Sequence, residues 1–440
     1  MSPSPSDVSV VTVNWNGKSH LQTLLGTLRT TGCGEIVVVD NGSSDGSQAL
    51  VRKHFPAVQL IENKTNRGFA HPCNQAAERA SRRYLAFINN DMKAHPDWLR
   101  KGLPLLGGRT VCAGSRILNW SGERIDFNGS SLQYLGYALQ RDIGRLVEEV
   151  SRGGEILFPC GGAMLIDRKV FLEAGGFDPD YFALFEDVDL GWRLWVMGYR
   201  VAFAAESITY HRGHSTLETQ SLPKVRYLMH RNALLTIVKN YDDRRFQKIL
   251  PVAIRLAIKR AVHFSGVNPE AFYMWSAVEA KLNDGDSETC KRLLDSLNHL
   301  VALDDVLKQL PALLQKRKRV QERRQRRDER IFELFTDPFR LIVEDPDYAL
   351  EEMRLLDGLD FPELGLDQHQ KAAARLPEQL EARIKKLSQE LSCSQWNGQH
   401  HLNRSPSRPE FSLRKLLGGL RDEGFGATWR RLKERVEDGL

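Results

Sequence analysis

Residues 8–40 read VSVVTVNWNGKSHLQTLLGTLRTTGCGEIVVVD. The two ends, Val8 to Asn14 and Glu35 to Asp40, are short runs dominated by β-branched residues, as in strands covered on both faces, and each stops at a polar turn. Between them, Lys18 to Thr30 sets Leu21, Leu24, Leu25 and Leu28 at helical spacing. The stretch predicts β-α-β, and the following chain repeats the pattern. After Asp40 the turn NGSSDGS leads into QALVRKHF. Val58 to Ile61 is a third strand, Ala70 to Ser81 a third helix, and Tyr84 to Ile88 a fourth strand that runs into Asn89, Asn90 and Asp91. The order predicts an α/β fold with a mostly parallel sheet flanked by helices. Right-handed crossovers in such sheets put ligand-binding loops beyond the carboxyl ends of the strands, where Asn14, Asp40 and Asp91 fall.

The whole chain supports a folded, water-compatible protein. Its 440 residues are 41% apolar and 27% charged, with a net charge of +6, which excludes wholesale disorder and allows about two or three domains. No apolar run approaches the ~18 residues of a spanning helix. The opening MSPSPSDVSV lacks the blocks of a signal peptide, so a cytoplasmic location is expected. Six cysteines without CxxC spacing indicate packing rather than disulfides or zinc. Residues 1–220 carry 23 basic and 23 acidic side chains, so the excess positive charge belongs to residues 221–440. There Lys316 to Arg330 (KRKRVQERRQRRDER) is either a solvated arginine-rich helix or a surface for nucleic acid or anionic lipid.

Several side chains carry possible chemistry. Asp40 can accept a hydrogen bond from the imide N–H of a uracil or thymine ring; the plainer alternative makes it, like Asp45, a turn or helix-capping residue. No glycine-rich phosphate loop follows these strands, so a diphosphate must be neutralised otherwise. Asp91 offers a hard oxygen ligand for Mg²⁺ or Mn²⁺. Glu186, Asp187 and Asp189 crowd the start of a predicted helix; its dipole explains one or two of these acids better than three. His211 follows the strand-like VAFAAESITY as a metal ligand or phosphate contact, in competition with His214 and with a structural role.

In order, VVTVNWNG, VVVDNGSSDGS, NKTNRGFAHPCNQA, YLAFINNDM, PCGGAMLIDRKVFLEAGGFDPDYFALFEDVDLGWRLWVMGYR and RNALLTIVKN resemble glycosyltransferase family 2, inverting nucleotide-sugar transferases of GT-A fold. The likeness runs over about residues 8–240 and is strongest to the rhamnosyltransferase-like branch of cell-surface polysaccharide synthesis. It implies that Asp40 binds the pyrimidine and that Asn14 and Arg67 line the nucleotide pocket, with Asn89 and Asn90 beside them. Asp91 matches the last carboxylate of the family's Asp-x-Asp metal signature, whose first position is here Asn89. Within Glu186–Asp187 the second acid is the implied catalytic base, while Gly161 and Gly162 approach donor sugar and acceptor. The implied cofactors are a divalent metal (Mg or Mn) and a UDP- or dTDP-linked sugar; the implied acceptor is a glycan or lipid-linked hydroxyl.

From Lys224 onward helical periodicity replaces strand signals. The expected organisation is a GT-A catalytic domain over 1–223, a helical region completing the acceptor side over 224–391, a polar linker over 392–410 and an amphipathic helical segment over 411–440. That last segment either lies on a membrane or docks on the protein body. The expected setting is the cytoplasm, at the inner face of the plasma membrane, without a nucleic-acid partner. An inactive GT-A scaffold, a sugar-nucleotide pyrophosphorylase and a nucleic-acid binder using 316–330 are the rival readings.

Overall fold

The computed structural model describes residues 3–150, 153–213, 222–265 and 287–340, together with Tyr348 and Glu352. The expected helix over 370–391, the linker over 392–410 with His400 and His401, the segment over 411–440 and His214 lie outside the described residues. Met1–Pro338 forms one compact unit and Phe339–Leu440 a second.

The strands are β1 (Val8–Asn14), β2 (Glu35–Asp40), β3 (Gln59–Glu62), β4 (Tyr84–Ile88), β5 (Met92–Ala94), β6 (Thr110–Asn119), β7 (Ile125–Phe127), β8 (Ser130–Leu132), β9 (Ala138–Gln140), β10 (Gly154–Glu155), β11 (Ala163–Asp167) and β12 (Arg200–His211). The main sheet has the order β10-β12-β6-β11-β4-β1-β2-β3, with β5 on β12 and β7 on β6, while β8 and β9 form a separate hairpin. As expected, β3, β2, β1 and β4 are parallel neighbours. Beyond them β11 lies antiparallel between β4 and β6, and β12 then pairs with β6 in parallel. Val10, Val11, Val37, Val38, Leu85, Ala86 and Phe87 are buried, as residues of doubly covered strands must be.

Helices α1 (Lys18–Leu28), α2 (Ser47–His54) and α3 (Ala70–Arg79) follow the first three strands; α1 buries the four leucines its spacing marked. Next come α4 (Trp98–Gly102), α5 (Arg168–Glu173) and α6 (Glu186–Val196), which is buried along almost its whole length. The later chain is helical as expected: α7 (Leu222–Asn240), α8 (Asp243–Ser265), α9 (Ser287–Glu322) and α10 (Asp328–Phe332). Trp192 of α6 packs edge-on against Tyr241 and Phe335, with ring centroids 4.8 and 5.6 Å apart, which seats α6 on the later helices.

The basic run 316–330 is only in part the solvated helix its composition suggested: Lys318, Arg319, Arg323, Arg327 and Arg330 are exposed, while other arginines turn inward. Helix α9 ends at Glu322 and α10 begins at Asp328, and Arg317, Arg324 and Arg326 are used on backbone carbonyls. Arg317 donates to Val238 O and Tyr241 O, Arg324 to Asn240 O, and Arg326 to Tyr199 O and Gly198 O, all at 2.6–3.1 Å. Arg324 also pairs with buried Asp328 at 2.6 Å. Guanidinium groups with several fixed donors suit such capping of loop and helix ends. No helix among the described residues is long and apolar enough to cross a membrane.

Candidate active site

The carboxyl ends of β1, β2 and β4 lie side by side, so the residues that end them meet. Asn14 and Asp40 face each other in the parallel register, and Asn14 Nδ2 donates to Asp40 Oδ2 at 3.0 Å. Asp40 Oδ1 accepts from the Ser43 N–H at 2.9 Å and from Gln48 Nε2 at 2.6 Å. Buried Asp40 thus organises the turn, the plainer of the two expectations, and among the described residues its Oδ2 accepts one side-chain hydrogen bond of the roughly two that a carboxylate oxygen offers. Asp45 is a turn residue, accepting from the Lys18 and Ser47 backbones at 2.8 and 3.0 Å. Asn90 Nδ2 donates to Asn14 Oδ1 at 2.9 Å. A Cβ at Gly17 would stand 2.3 Å from Asn90 Nδ2 and 2.9 Å from Asn14 Oδ1, so this asparagine pair requires glycine there. The side chain of Arg67 is exposed; its loop is tied in by its N–H to Asn41 Oδ1 at 3.2 Å. Buried Asn41, whose Nδ2 also donates to Gly68 O at 2.8 Å, is a positioning residue the sequence reading missed.

Asn89 donates its N–H to Gly162 O at 3.0 Å, and a Cβ on Gly162 would lie 2.8 Å from Asn89 Nδ2. Asp91 is buried, with Oδ2 3.4 Å from His211 Nε2. His211, the last residue of β12, bonds Asp126 Oδ2 through Nδ1 at 2.6 Å. Burial pushes the imidazole pKa down, but hydrogen bonds and charge from Asp126 and Asp91 outweigh burial and raise it to about 9. Asp126 sits in the edge strand β7, and nothing in its local sequence announces a partnership with His211. Among the described residues, no three His, Cys, Asp or Glu side chains are placed to hold a metal ion by themselves.

On the other side of Gly161–Gly162 stands the acid pair. Gly161 donates its N–H to Asp187 Oδ2 at 2.7 Å, and the Val188 N–H reaches Oδ1 at 2.8 Å. Burial raises the Asp187 pKa to about 6. Glu186 is raised well above the usual carboxylate range by burial and by the neighbouring Asp187, and its Oε2 has no hydrogen-bond partner among the described residues. Cys160 next door has its thiol pushed up by burial and by the charges of Asp187, Asp126 and Glu186. Asp189 is separate: fully buried, it is held by Arg193 at 2.8 Å, Lys239 at 2.9 Å and Asn240 at 3.0 Å, and serves the packing of α6.

The loop before the acids is strained. Phe182, Leu184 and Phe185 have φ of 60°, 68° and 70°, each costing about 1–3 kcal/mol for a non-glycine residue. Asn232 of α7 holds this bend, with Nδ2 3.1, 3.0 and 2.6 Å from the carbonyl oxygens of Tyr181, Ala183 and Leu184. Arg231 donates to Asp180 O. The segment RNALLTIVKN contains both residues, but their task shows only in three dimensions.

Known proteins are similar to this chain over its first half. Glycosyl transferase family 2 matches residues 9–175. The O-antigen biosynthesis protein RfbC of Myxococcus xanthus is 27% identical over 210 residues, 44% of this chain but 16% of RfbC. The N-acetylglucosaminyl-diphospho-decaprenol L-rhamnosyltransferase of Mycobacterium tuberculosis is 25% identical over 235 residues, covering 47% of this chain and 76% of that enzyme. Among solved structures, a Pyrobaculum calidifontis mannosyltransferase is similar at TM-score 0.41 and 17% identity over 70% of this chain and 89% of its own, too loosely to add to the argument. Over residues 9–175, the stretch that the family model matches, this chain is similar to glycosyl transferase family 2.

Proposed function

We propose that this chain is an inverting glycosyltransferase that moves a sugar from a UDP- or dTDP-sugar to a hydroxyl of a glycan or lipid-linked acceptor in cell-surface polysaccharide synthesis, acting at the cytoplasmic face of the membrane. The observation that carries the reading is Asp187: a carboxylate held by the Gly161 N–H, with its pKa raised to about 6, at the start of a buried helix. A base of that strength is suited to taking a proton from an alcohol near neutral pH. The names of the two relatives support the substrate class.

The acceptor hydroxyl attacks the anomeric carbon from the face opposite the nucleoside diphosphate, giving up its proton to Asp187 as the new bond forms. Glu186, kept protonated by burial and by its neighbour, can donate a hydrogen bond without adding a second negative charge. Asp40, Asn14 and Asn90 form the nucleotide side, with Asp40 Oδ2 facing an imide N–H. Asp91 Oδ2 and His211 Nε2, 3.4 Å apart, would hold Mg²⁺ or Mn²⁺ only with the imidazole deprotonated at Nε2, so metal binding would release the proton that the raised pKa keeps there. Such an ion would stabilise charge on the leaving diphosphate as a Lewis acid. In this reading the later helices in the same unit as the sheet complete the acceptor side, since α7 holds the loop that carries the acids.

Thermal stabilisation by UDP, dTDP and GDP, each with and without Mn²⁺, tests the proposal. A pyrimidine diphosphate is expected to raise Tm in a Mn²⁺-dependent way and an Asp91→Asn variant to lose the metal dependence; no stabilisation by any of the three would overturn it.

A further inference from the structure

Further along α6 from the acid pair is a cavity of about 520 Å³, in the range of small-molecule sites. Glu186, Asp189, Arg193 and Met197 stand at i, i+3, i+7 and i+11, one stripe of the helix, and the cavity begins where that stripe reaches Arg193 and Met197. Its opposite wall is the end of α9, which presents Lys316, Arg319 and Arg323 at helical spacing, with Val320 between them. Lys239 of α7 also lines it.

The cations differ in how they are engaged. Arg193 is bound to Asp189 and two carbonyls, Lys239 to Asp178 and Asp189, and Lys316 to Asp178 and Asp180. Arg323 donates only to the neutral Glu173 O, at 2.7 Å, and among the described residues neither it nor Arg319 is paired with a carboxylate. Glu322, the nearest acid on α9, is turned toward Lys318 at 4.0 Å. Two guanidinium groups without a carboxylate partner among the described residues, one turn apart, therefore flank a cavity whose other lining joins the apolar Ala174, Pro179, Met197 and Val320 to ion-paired Asp178, Arg193, Lys239 and Lys316 and to Glu322. Guanidinium pairs of this kind match phosphate oxygens.

We infer that this cavity is a second ligand site, distinct from the nucleotide side, which takes a phosphorylated compound with an apolar body. The phosphate lies against Arg319 and Arg323 with Lys316 behind them, and the apolar part against Met197 and Val320. Occupancy reaches the acid pair through Asp189, which is held by Arg193 and Lys239 of the same cavity and lies two residues past Asp187. This inference does not depend on the proposed transfer reaction.

Calorimetric titration of the full chain at low salt with inorganic pyrophosphate and with geranyl phosphate tests it, alongside the double variant Arg319→Ser/Arg323→Ser and the nucleotide-side variant Asp91→Asn. The expected result is geranyl phosphate binding that weakens about 10–100-fold in the double variant, which loses two charge-assisted contacts, and is unchanged in Asp91→Asn. Pyrophosphate binding as tightly, with the same loss in the double variant, would identify free phosphate rather than a lipid-like phosphate as the ligand. Binding of neither probe, or affinity unaltered in the double variant, overturns the inference. Both arginines are exposed, so their replacement leaves the fold intact.

Discussion

The backbone N–H of Gly161 points at Asp187 Oδ2 from 2.7 Å, so a loop from one side of the sheet fixes the carboxylate that starts α6. In Asp187→Asn the amide oxygen can keep the bond from Gly161 while the Val188 N–H loses its acceptor, so most of the geometry survives and the basicity does not. Turnover should fall about 10²–10⁴-fold while the nucleotide dissociation constant changes little. Single-turnover kinetics with parallel nucleotide titration measure both, and a near-normal rate would remove Asp187 from the mechanism.

The pH profile follows from the same burial. Asp187 must be ionised to act, and its pKa is raised to about 6, so kcat should rise with pH on an acid limb centred near that value. The limb belongs to the Glu186–Asp187 pair, because the two charges interact. Residual activity of Asp187→Asn should be flat across this window, and a limb that persists in the variant would assign the titration elsewhere.

Asn232 should govern rate more than nucleotide affinity. Replacing it by leucine leaves carbonyls of the 181–184 bend without their donor, at about 1–3 kcal/mol for a buried group left unsatisfied. The freed bend moves Glu186 and Asp187, not the strand ends that hold Asp40 and Asn14. Urea denaturation and a comparison of kcat with nucleotide affinity read the two effects; unchanged kcat would confine Asn232 to stability.

Acid should weaken the helical half through His299. Its ring lies 3.7 Å from that of His230, and burial together with Arg260 and Arg226 lowers its pKa to about 3, well below the ~6.5 of an unfolded histidine. The unfolded chain therefore binds more protons between those values, and stability falls as pH drops from about 6.5 toward 3. His299→Phe, which preserves the stacking with Phe264, should flatten the decline of Tm with acidification. A decline as steep as in the parent would show that other groups set it.

Gly17→Ala tests the asparagine pair. The added Cβ would meet Asn90 Nδ2 at 2.3 Å and must push that side chain away from Asn14. Nucleotide affinity should drop about tenfold, the scale of one hydrogen bond, with kcat at saturation nearly unchanged.

The parts of the site legible in the sequence are those fixed by local rules. Asn14, Asp40 and Asp91 sit at or just past strand ends that β-branched and apolar runs mark, and Glu186–Asp187 opens a helix with a clear apolar pattern. The antiparallel insertion of β11 between β4 and β6 was not legible, because pairing choice depends on partners 50 to 83 residues away. Asp126 escaped for the same reason, as its partner His211 is 85 residues on. The run 316–330 misled only in part, at Arg317, Arg324 and Arg326, because composition reports charge but not the carbonyls that charge will meet; these three become supports only once α7 and the 198–199 turn are in place.

Phe182, Leu184 and Phe185 hold backbone angles that side-chain-bearing residues resist. Laboratory selection for heat resistance would tend to favour glycine or asparagine at these positions, relaxing the bend. The hardier protein should also be the slower catalyst, because the tension in this corner is what keeps its acids aimed. Durability and speed are opposed at three residues.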